Sequence, residues 1–280
     1  MNPNRRRWLL SAFFALLAQG VSSAANEAPP VRILFLGNSL TYYNILPEVT
    51  RDVLARSGVL SPIIDSYAQP GYYLGDHIKD VSATARLKRG APDGNPWDVL
   101  VLQEQSMLHA ELCLNAMYTL QAVGPVREFL ERAREANPDC LVVLMQVWSR
   151  HQRRWDAKDE HAVITGSSAA EATVNIHRGT VTTLKEAKKH EGAVRILISP
   201  VGDFWQLARE KYPKMPLYEE DDHHPARLGT SLSALVLAGT IGGRQAIEKT
   251  TCPEGVPEAD FQKLQKLVLD HPEVFKQAGE

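Results

Sequence analysis

Two short segments near opposite ends of the chain carry the side chains of a nucleophile, an acid and a base. Gly37-Asn38-Ser39-Leu40 follows an apolar run, and Asp221-Asp222-His223-His224-Pro225 lies towards the C-terminus. A serine hydroxyl becomes an effective nucleophile when an imidazole accepts its proton and an acid holds that imidazole in one tautomer. The chain order Ser, Asp, His therefore predicts a serine hydrolase.

Ser39 has the local context of a nucleophile. A strand that ends at a glycine and turns into a helix exposes the next side chain above the sheet, and the backbone N–H there faces developing negative charge. The alternative interpretation is that Ser39 only caps the following helix.

The second segment offers more than one acid and more than one base. Asp221 and His224 are three residues apart, and Pro225 follows His224. A short turn of this kind folds the carboxylate back onto Nδ1 of the imidazole and leaves Nε2 facing the serine. We therefore predict His224 as the base and Asp221 as its partner. Asp222 is the alternative acid, and His223 is expected to be solvent-facing or structural.

Strand-like and helix-like segments alternate along the chain, which predicts a parallel sheet covered on both faces. Ser39, Gly71, Gln103 and Trp148 each come just after a predicted strand, and ligands of such sheets bind beyond the carboxyl ends of the strands. The predicted strands are residues 31–36, 61–67, 98–102, 141–147 and 194–199. The main predicted helices are residues 46–56, 124–136, 171–190, 226–241 and 261–268, and residues 150–168 are predicted as a loop or lid.

Four segments together resemble the conserved blocks of the SGNH (GDSL-type) hydrolases. Phe35-Leu36-Gly37-Asn38-Ser39-Leu40-Thr41 resembles the first block, and Asp221-x-x-His224-Pro225 resembles the last. Gly71 stands at the glycine of the second block, and the run from Val99 to Ser106 stands at the third. The resemblance extends from about Val31 to Arg244. It implies a flavodoxin-like, three-layer α/β/α sandwich with a central parallel sheet of about five strands, and ester hydrolysis through an acyl-serine.

The resemblance also implies residue roles. Ser39 is the nucleophile and first oxyanion donor, Gly71 is the second donor, and Asp221 and His224 complete the triad. The family's third donor is an Asn side chain in Gly-x-Asn-Asp, whereas this chain reads Gln103-Glu104-Gln105-Ser106. Gln103, nearer the strand end, is the favoured donor, and Gln105 is the alternative. Asn38 replaces the usual Asp.

Flanking residues suggest further roles. Tyr42, Tyr72 and Trp148 are candidate substrate contacts, with a core position as the alternative for Trp148. Glu104 is a second acid in this region, expected to be orienting or exposed.

We therefore expect an exported serine esterase without metal or cofactor. Its partner is a small-molecule or glycan ester, and the first expectation is a short acyl group, acetyl, on a carbohydrate. Two alternatives stay open: an acyl (acetyl) transferase that acts on a polysaccharide, and a glycan-binding module whose catalytic residues have drifted. The altered third block favours the last alternative, and the intact Ser39, Asp221 and His224 oppose it.

The N-terminus has the pattern of a secretion signal. Arg5, Arg6 and Arg7 precede an apolar run that ends in the small residues of 22–25. We predict a signal peptide over residues 1–25, a single catalytic domain over 26–280, a periplasmic or secreted location, and no stable membrane span after cleavage.

Charge and cysteine content exclude other classes of function. The 280-residue chain has a formal charge of −2, and loss of the three signal arginines makes it more acidic. This charge argues against nucleic acid as a partner. The three cysteines lack metal-ligand spacing, and one pair of them could form a disulfide.

Overall fold

A five-stranded, all-parallel sheet forms the centre of the computed structural model, which describes residues 28–189 and 195–278. The strands are β1 Pro30–Gly37, β2 Ser61–Ala68, β3 Val99–Gln103, β4 Leu141–Met145 and β5 Ile196–Ser199. Their order is β2-β1-β3-β4-β5, the flavodoxin-like order of a doubly wound sheet. The predicted sheet of about five parallel strands is confirmed.

Helices connect the strands and flank the sheet. They are α1 Ser39–Tyr42, α2 Leu46–Ser57, α3 Leu74–Lys79, α4 Val81–Arg89, α5 Leu108–Leu114, α6 Thr119–Ala136, α7 Arg153–Asp156, α8 Glu160–Val163, α9 Ala169–Lys188, α10 Val201–Lys211, α11 Arg227–Gly242, α12 Arg244–Lys249, α13 Glu258–Asp270 and α14 Pro272–Gln277.

Alternate side chains of the central strands enter two separate cores. Ile33 and Phe35 of β1 pack in a core with residues of α2, α10, α11 and α13. Leu34 and Leu36 of the same strand pack in the opposite core with residues of α4, α6 and α9. Because both of their faces are buried, the central strands β1, β3 and β4 are near-continuous apolar runs without polar alternation. The chain therefore has the predicted three-layer α/β/α architecture.

The carboxyl ends of the strands lie at one edge of the sheet. Gly37 pairs in register with Ala68, and Gln103 pairs with Met145. The loops that follow β1, β2, β3 and β4 are therefore neighbours, although they are far apart in sequence.

Some local predictions differ from the structure. The segment between β2 and β3 contains α3 and α4, which the sequence pattern did not predict, and the predicted loop over residues 150–168 contains the short helices α7 and α8. Cys113, Cys140 and Cys252 are free thiols, so the disulfide left open by the sequence is not formed. The predicted signal peptide lies outside the described residues. Across residues 28–189 and 195–278, none of the helices has the length and hydropathy needed to span a bilayer.

Candidate active site

The turn after β1 exposes Ser39 at the start of α1. Asn38 caps this helix, because its Oδ1 accepts the backbone N–H of Leu40 at 3.2 Å. Ser39 is half-buried, and neither its hydroxyl nor its backbone N–H forms a hydrogen bond with a described residue. Since Asn38 supplies the cap, the hydroxyl of Ser39 is left free for chemistry.

His224 and Asp221 form an imidazole–carboxylate pair. Nδ1 of His224 lies 2.5 Å from Oδ2 of Asp221. The other carboxylate oxygen accepts the backbone N–H of His223 at 3.0 Å and that of His224 at 2.9 Å. Partial burial opposes ionisation of Asp221, but these hydrogen bonds outweigh it and lower its pKa to about 2. An ionised Asp221 fixes the ring orientation and leaves Nε2 as the nitrogen that can accept a proton.

Two contacts fasten the Ser39 turn to the acid–base segment. The Tyr43 ring stacks on the His224 ring with centroids 4.0 Å apart and an interplanar angle of 10°. Nδ2 of Asn44 donates a hydrogen bond to the carbonyl of Pro225 at 2.6 Å. The chain therefore holds His224 against the turn that begins at Ser39. Sequence reasoning missed the role of Tyr43 as the ring that supports the base.

The backbone of this connecting turn is strained. Asn44 has φ 48° and Ile45 has φ 50°, in the left-handed region that a β-branched residue such as Ile45 rarely adopts. Such a conformation costs about 1–3 kcal/mol and is typical of functional sites. The contacts of the turn with the acid–base segment offset this cost.

Asp222 is occupied elsewhere. Both of its carboxylate oxygens accept from Nε of Arg153, at 3.1 and 3.0 Å. Asp222 therefore anchors the segment that carries Arg153, and the structure favours Asp221 over Asp222 as the orienting acid.

His223 has a structural environment. It is half-buried, and its carbonyl accepts the indole N–H of Trp148 at 3.1 Å. Burial and the positive charge of Arg150 lower the pKa of His223 to about 3, so the ring is neutral at physiological pH. These contacts favour His224 over His223 as the base.

The turn after β2 lies beside the Ser39 turn. Nδ2 of Asn38 donates to the carbonyl of Tyr72 at 2.9 Å and so joins the two turns. Gly71 is exposed and has φ 69°, a conformation that favours glycine. Its backbone N–H makes no hydrogen bond to a described residue. This N–H is therefore available to a ligand.

Gln103 braces the Ser39 turn. Its Oε1 accepts the backbone N–H of Asn38 and the hydroxyl of Thr41, both at 2.8 Å, and its Nε2 donates to the carbonyl of Glu104. A Cβ at Gly37 would lie 2.3 Å from Oγ1 of Thr41 and 2.6 Å from Oε1 of Gln103, so a larger residue there would displace the hydrogen bond between these two side chains. Both ends of the Gln103 amide already have backbone or side-chain partners, which argues against the preference for Gln103 as the third oxyanion donor.

Gln105, the alternative, keeps its amide nitrogen free. Its Oε1 accepts the backbone N–H of Met107 at 2.7 Å, while Nε2 has no partner among the described residues. Fixing the oxygen orients the amide so that its donor end is available. Of the two glutamines, Gln105 is the better candidate for a third donor.

Glu104 is buried at the end of β3, with 1% of its surface exposed. Its Oε1 accepts the backbone N–H of Leu74 at 3.1 Å and that of Gln105 at 2.6 Å, and its Oε2 has no partner. Burial raises the pKa of Glu104 to about 8, against the opposing effect of the two N–H donors. The carboxyl group is therefore protonated at neutral pH and ties α3 to the loop after β3. The sequence did not distinguish this buried role from an exposed one.

The aromatic candidates for substrate contacts have different environments. Tyr42 is 38% exposed, and Tyr72 is half-buried with its hydroxyl 3.4 Å from Oδ2 of Asp80. Trp148 is 1% exposed and stacks on Trp205 with ring centroids 4.1 Å apart. The structure therefore favours the core position, which was the alternative for Trp148, over a substrate contact.

One edge of the sheet thus carries a free serine hydroxyl, free N–H groups at Ser39 and Gly71, and the pair formed by His224 and Asp221. A nucleophile, an oriented base and donors for an oxyanion are the groups that acyl transfer requires.

No family model and no curated protein matches the sequence. Solved structures show the same fold. A DUF4886 family protein from Bacteroides uniformis is 16% identical, covers 86% of this chain and 94% of its own, and has a TM-score of 0.61. A candidate SGNH hydrolase from Slackia heliotrinireducens is 21% identical, with coverage of 76% and 99% and a TM-score of 0.54. These similarities confirm the predicted fold, and the chemistry rests on the geometry of the site.

Proposed function

We propose that this chain, which has the fold found in SGNH hydrolases, is a serine esterase that hydrolyses carboxylic esters. The observation that carries the proposal is the pair of His224 and Asp221, held by Tyr43 and Asn44 against the turn that exposes Ser39.

The reaction begins with transfer of the Ser39 hydroxyl proton to Nε2 of His224. Ser39 Oγ attacks the ester carbonyl, and Asp221 stabilises the imidazolium that forms. Collapse of the tetrahedral intermediate expels the alcohol, which takes the proton from His224. Water, activated by the same imidazole, then hydrolyses the acyl-serine.

The oxyanion is stabilised by the backbone N–H groups of Ser39 and Gly71. Gln105 supplies the third donor through Nε2, while Gln103 keeps the Ser39 turn in place. Removal of one oxyanion donor typically lowers kcat by about 10²–10³-fold, so the side chain that supplies the third donor contributes strongly to catalysis.

The substrate we propose is a short acyl ester, acetyl, of a carbohydrate. Support comes from the resemblance of the motifs to SGNH hydrolases and from tyrosines near the site, with Tyr42 partly exposed.

Export is the remaining part of the proposal. Residues 1–25 are proposed as a cleaved signal and residues 26–280 as the mature catalytic domain, located in the periplasm or secreted. N-terminal sequencing of protein recovered from the periplasm or medium tests this; a retained Met1 would contradict it.

Hydrolysis of 4-nitrophenyl acetate by the purified mature protein tests the esterase activity. Ser39→Ala and His224→Ala are each expected to lower kcat by about 10³-fold or more, because each removes a member of one catalytic unit. Ser66→Ala, at an exposed serine of β2, is the matched control and should retain wild-type activity. Turnover that survives both triad substitutions would contradict the proposal. Absence of wild-type turnover would favour a transferase or a glycan-binding module.

A further inference from the structure

Arg150 is a cation beside the acid–base segment that has no partner for its side chain. It is half-buried, and its guanidinium makes no hydrogen bond or ion pair with any described residue. Two neighbouring arginines differ, since Arg153 pairs with Asp222 and Arg154 pairs with Asp159. Partly desolvated charges in proteins are usually paired, so an unpaired arginine in a site indicates a ligand with the opposite charge.

The backbone that carries Arg150 is fixed against the acid–base segment. Hydrogen bonds hold the residues on both sides of Arg150 and its own carbonyl. They join the Trp148 indole to His223 O at 3.1 Å, the Tyr218 hydroxyl to Ser149 O at 2.8 Å, Arg209 Nη1 to Arg150 O at 3.3 Å, and His151 N to Asp222 O at 2.9 Å. Arg150 therefore extends from a rigid segment, as a binding residue requires.

The charge of Arg150 acts on the catalytic segment itself. Burial is the main cause that lowers the pKa of Arg150, and Asp159 and Asp221 oppose this effect from a distance. Both of these carboxylates already have nearer cations or donors, since Asp159 binds Arg154 and Asp221 binds His224. His223 is neutral and offers no negative charge. The positive charge of Arg150 is therefore left uncompensated by direct contact.

We propose that Arg150 binds an anionic group, a carboxylate or a phosphate, on the alcohol portion of the ester substrate. The planar guanidinium matches both groups through two parallel N–H donors, and partial burial strengthens the contact. The proposed substrate class is then an ester of an acidic alcohol, such as a uronic acid or a sugar phosphate. This inference rests on the proposed esterase function, because it assigns the substrate of the same site.

Pairs of aryl acetates that differ mainly in charge test whether Arg150 binds an anionic group of the substrate. The substrates are 4-acetoxybenzoate and 3-acetoxybenzoate, each beside the corresponding neutral benzamide, and 4-acetoxyphenyl phosphate beside the neutral 4-methoxyphenyl acetate for the phosphate source. The quantity compared is the ratio of kcat/KM for the anionic ester to kcat/KM for its neutral counterpart. Because both esters use one triad, damage to the triad or to folding cancels in this ratio.

Arg150→Gln is expected to lower the ratio for at least one anionic ester by about tenfold or more, mainly through KM, as expected for a lost charge-assisted hydrogen bond. Arg150→Lys should recover part of the ratio, since it restores the charge without the bidentate geometry. Arg153→Gln, which removes a cation already paired with Asp222, should leave the ratio within about twofold if local net charge alone contributes little. The carboxylate and phosphate arms show which anion is preferred.

A ratio that is the same in wild type and Arg150→Gln would overturn the inference. So would an equal fall of the ratio in Arg150→Gln and Arg153→Gln, which would indicate general electrostatic attraction. If wild type hydrolyses none of the esters, the proposed function fails, and calorimetric binding of the same benzoates and benzamides decides the inference. Tighter binding of a benzoate to wild type than to Arg150→Gln would support it, and equal binding would overturn it.

Discussion

Two roles in the candidate site each have two chemically similar candidates close together in sequence. The hydrogen bonds of these side chains show which candidate fits each role. Asp221 and Asp222 are adjacent, yet one carboxylate meets His224 and the other meets Arg153. Gln103 and Gln105 differ in the same way, because one amide is bound at both ends and the other keeps its donor end free. The roles are therefore set by the turns that carry these side chains rather than by residue type.

The two aspartates give opposite predictions. Asp221→Asn should lower kcat by about 10²-fold or more, because an amide no longer stabilises the imidazolium. Asp222→Asn should keep kcat within about threefold and lower the free energy of unfolding by no more than about 1 kcal/mol, because the Arg153 side chain of the lost ion pair is 66% exposed. Asn tolerates the φ of 59° at position 222, so the backbone is unchanged. Steady-state kinetics and urea unfolding of both variants measure the two effects. A larger loss of kcat in Asp222→Asn would reverse the assignment.

The buried carboxyl group of Glu104 should make the free energy of unfolding depend on pH. Its pKa of about 8 in the folded protein exceeds the ordinary value of 4.5, so folding takes up a proton between these pH values. The stability associated with the protonated carboxyl is fully present below pH 4.5 and is lost as the pH rises through about 8. Glu104→Gln keeps the acceptor oxygen and needs no proton. The stability of Glu104→Gln relative to wild type should therefore increase from pH 5 to pH 8 in urea unfolding, by about 1 kcal/mol or more. A constant difference across this range would show that Glu104 is already ionised.

At the scale of elements, close packing of helices determines where glycine is required. In α9, a Cβ at Gly179 would lie 1.8 Å from the carbonyl oxygen of His109 in α5. In α3, a Cβ at Gly75 would lie 3.6 Å from Cγ of Pro125, an ordinary contact. The first contact is with backbone, which cannot rotate away.

Gly179→Ala should therefore lower the free energy of unfolding by about 3 kcal/mol, because α5 and α9 must separate to admit the methyl group. Gly75→Ala is the matched control and should be neutral or more stable by up to about 1 kcal/mol, since alanine favours the helix. Thermal and urea unfolding measure both. Equal stability of the two variants would mean that α5 and α9 are not packed as described.

Sequence predicted the elements that have strong patterns and missed those that depend on tertiary contacts. The predicted strands over 31–36 and 61–67 agree with β1 and β2 within one residue. The buried strand β1 is a compact apolar run, which is a strong sequence signal. The short helices α3 and α4 lack such a run. The order of the four site segments was predictable, whereas the burial of Trp148 and the bracing role of Gln103 depend on residues remote in sequence.

At the scale of the whole molecule, the three cysteines are separate free thiols. Cys113 is exposed, while Cys140 is buried and burial raises its pKa to about 12. We therefore expect the protein to fold stably without a disulfide bond between its layers.

Thiol titration with an aromatic disulfide reagent tests this arrangement. Without reductant, the exposed Cys113 of the native protein should react faster than Cys140, because the more deeply buried thiol is less accessible and forms less thiolate. The protein unfolded in guanidinium should titrate all three cysteines. Fewer thiols in the unfolded, unreduced protein would reveal a disulfide and contradict the structure.

The central claim is that His224 activates Ser39, and covalent labelling tests it most directly. A fluorophosphonate, which phosphonylates an activated serine with loss of fluoride, is incubated with wild type, Ser39→Ala and His224→Ala, and the labelled peptide is identified by mass spectrometry. We expect one label per wild-type chain on the peptide that contains Ser39, none in Ser39→Ala, and labelling at least about 10³-fold slower in His224→Ala. A label on another serine, or labelling of Ser39 that is unaffected by His224→Ala, would contradict this account.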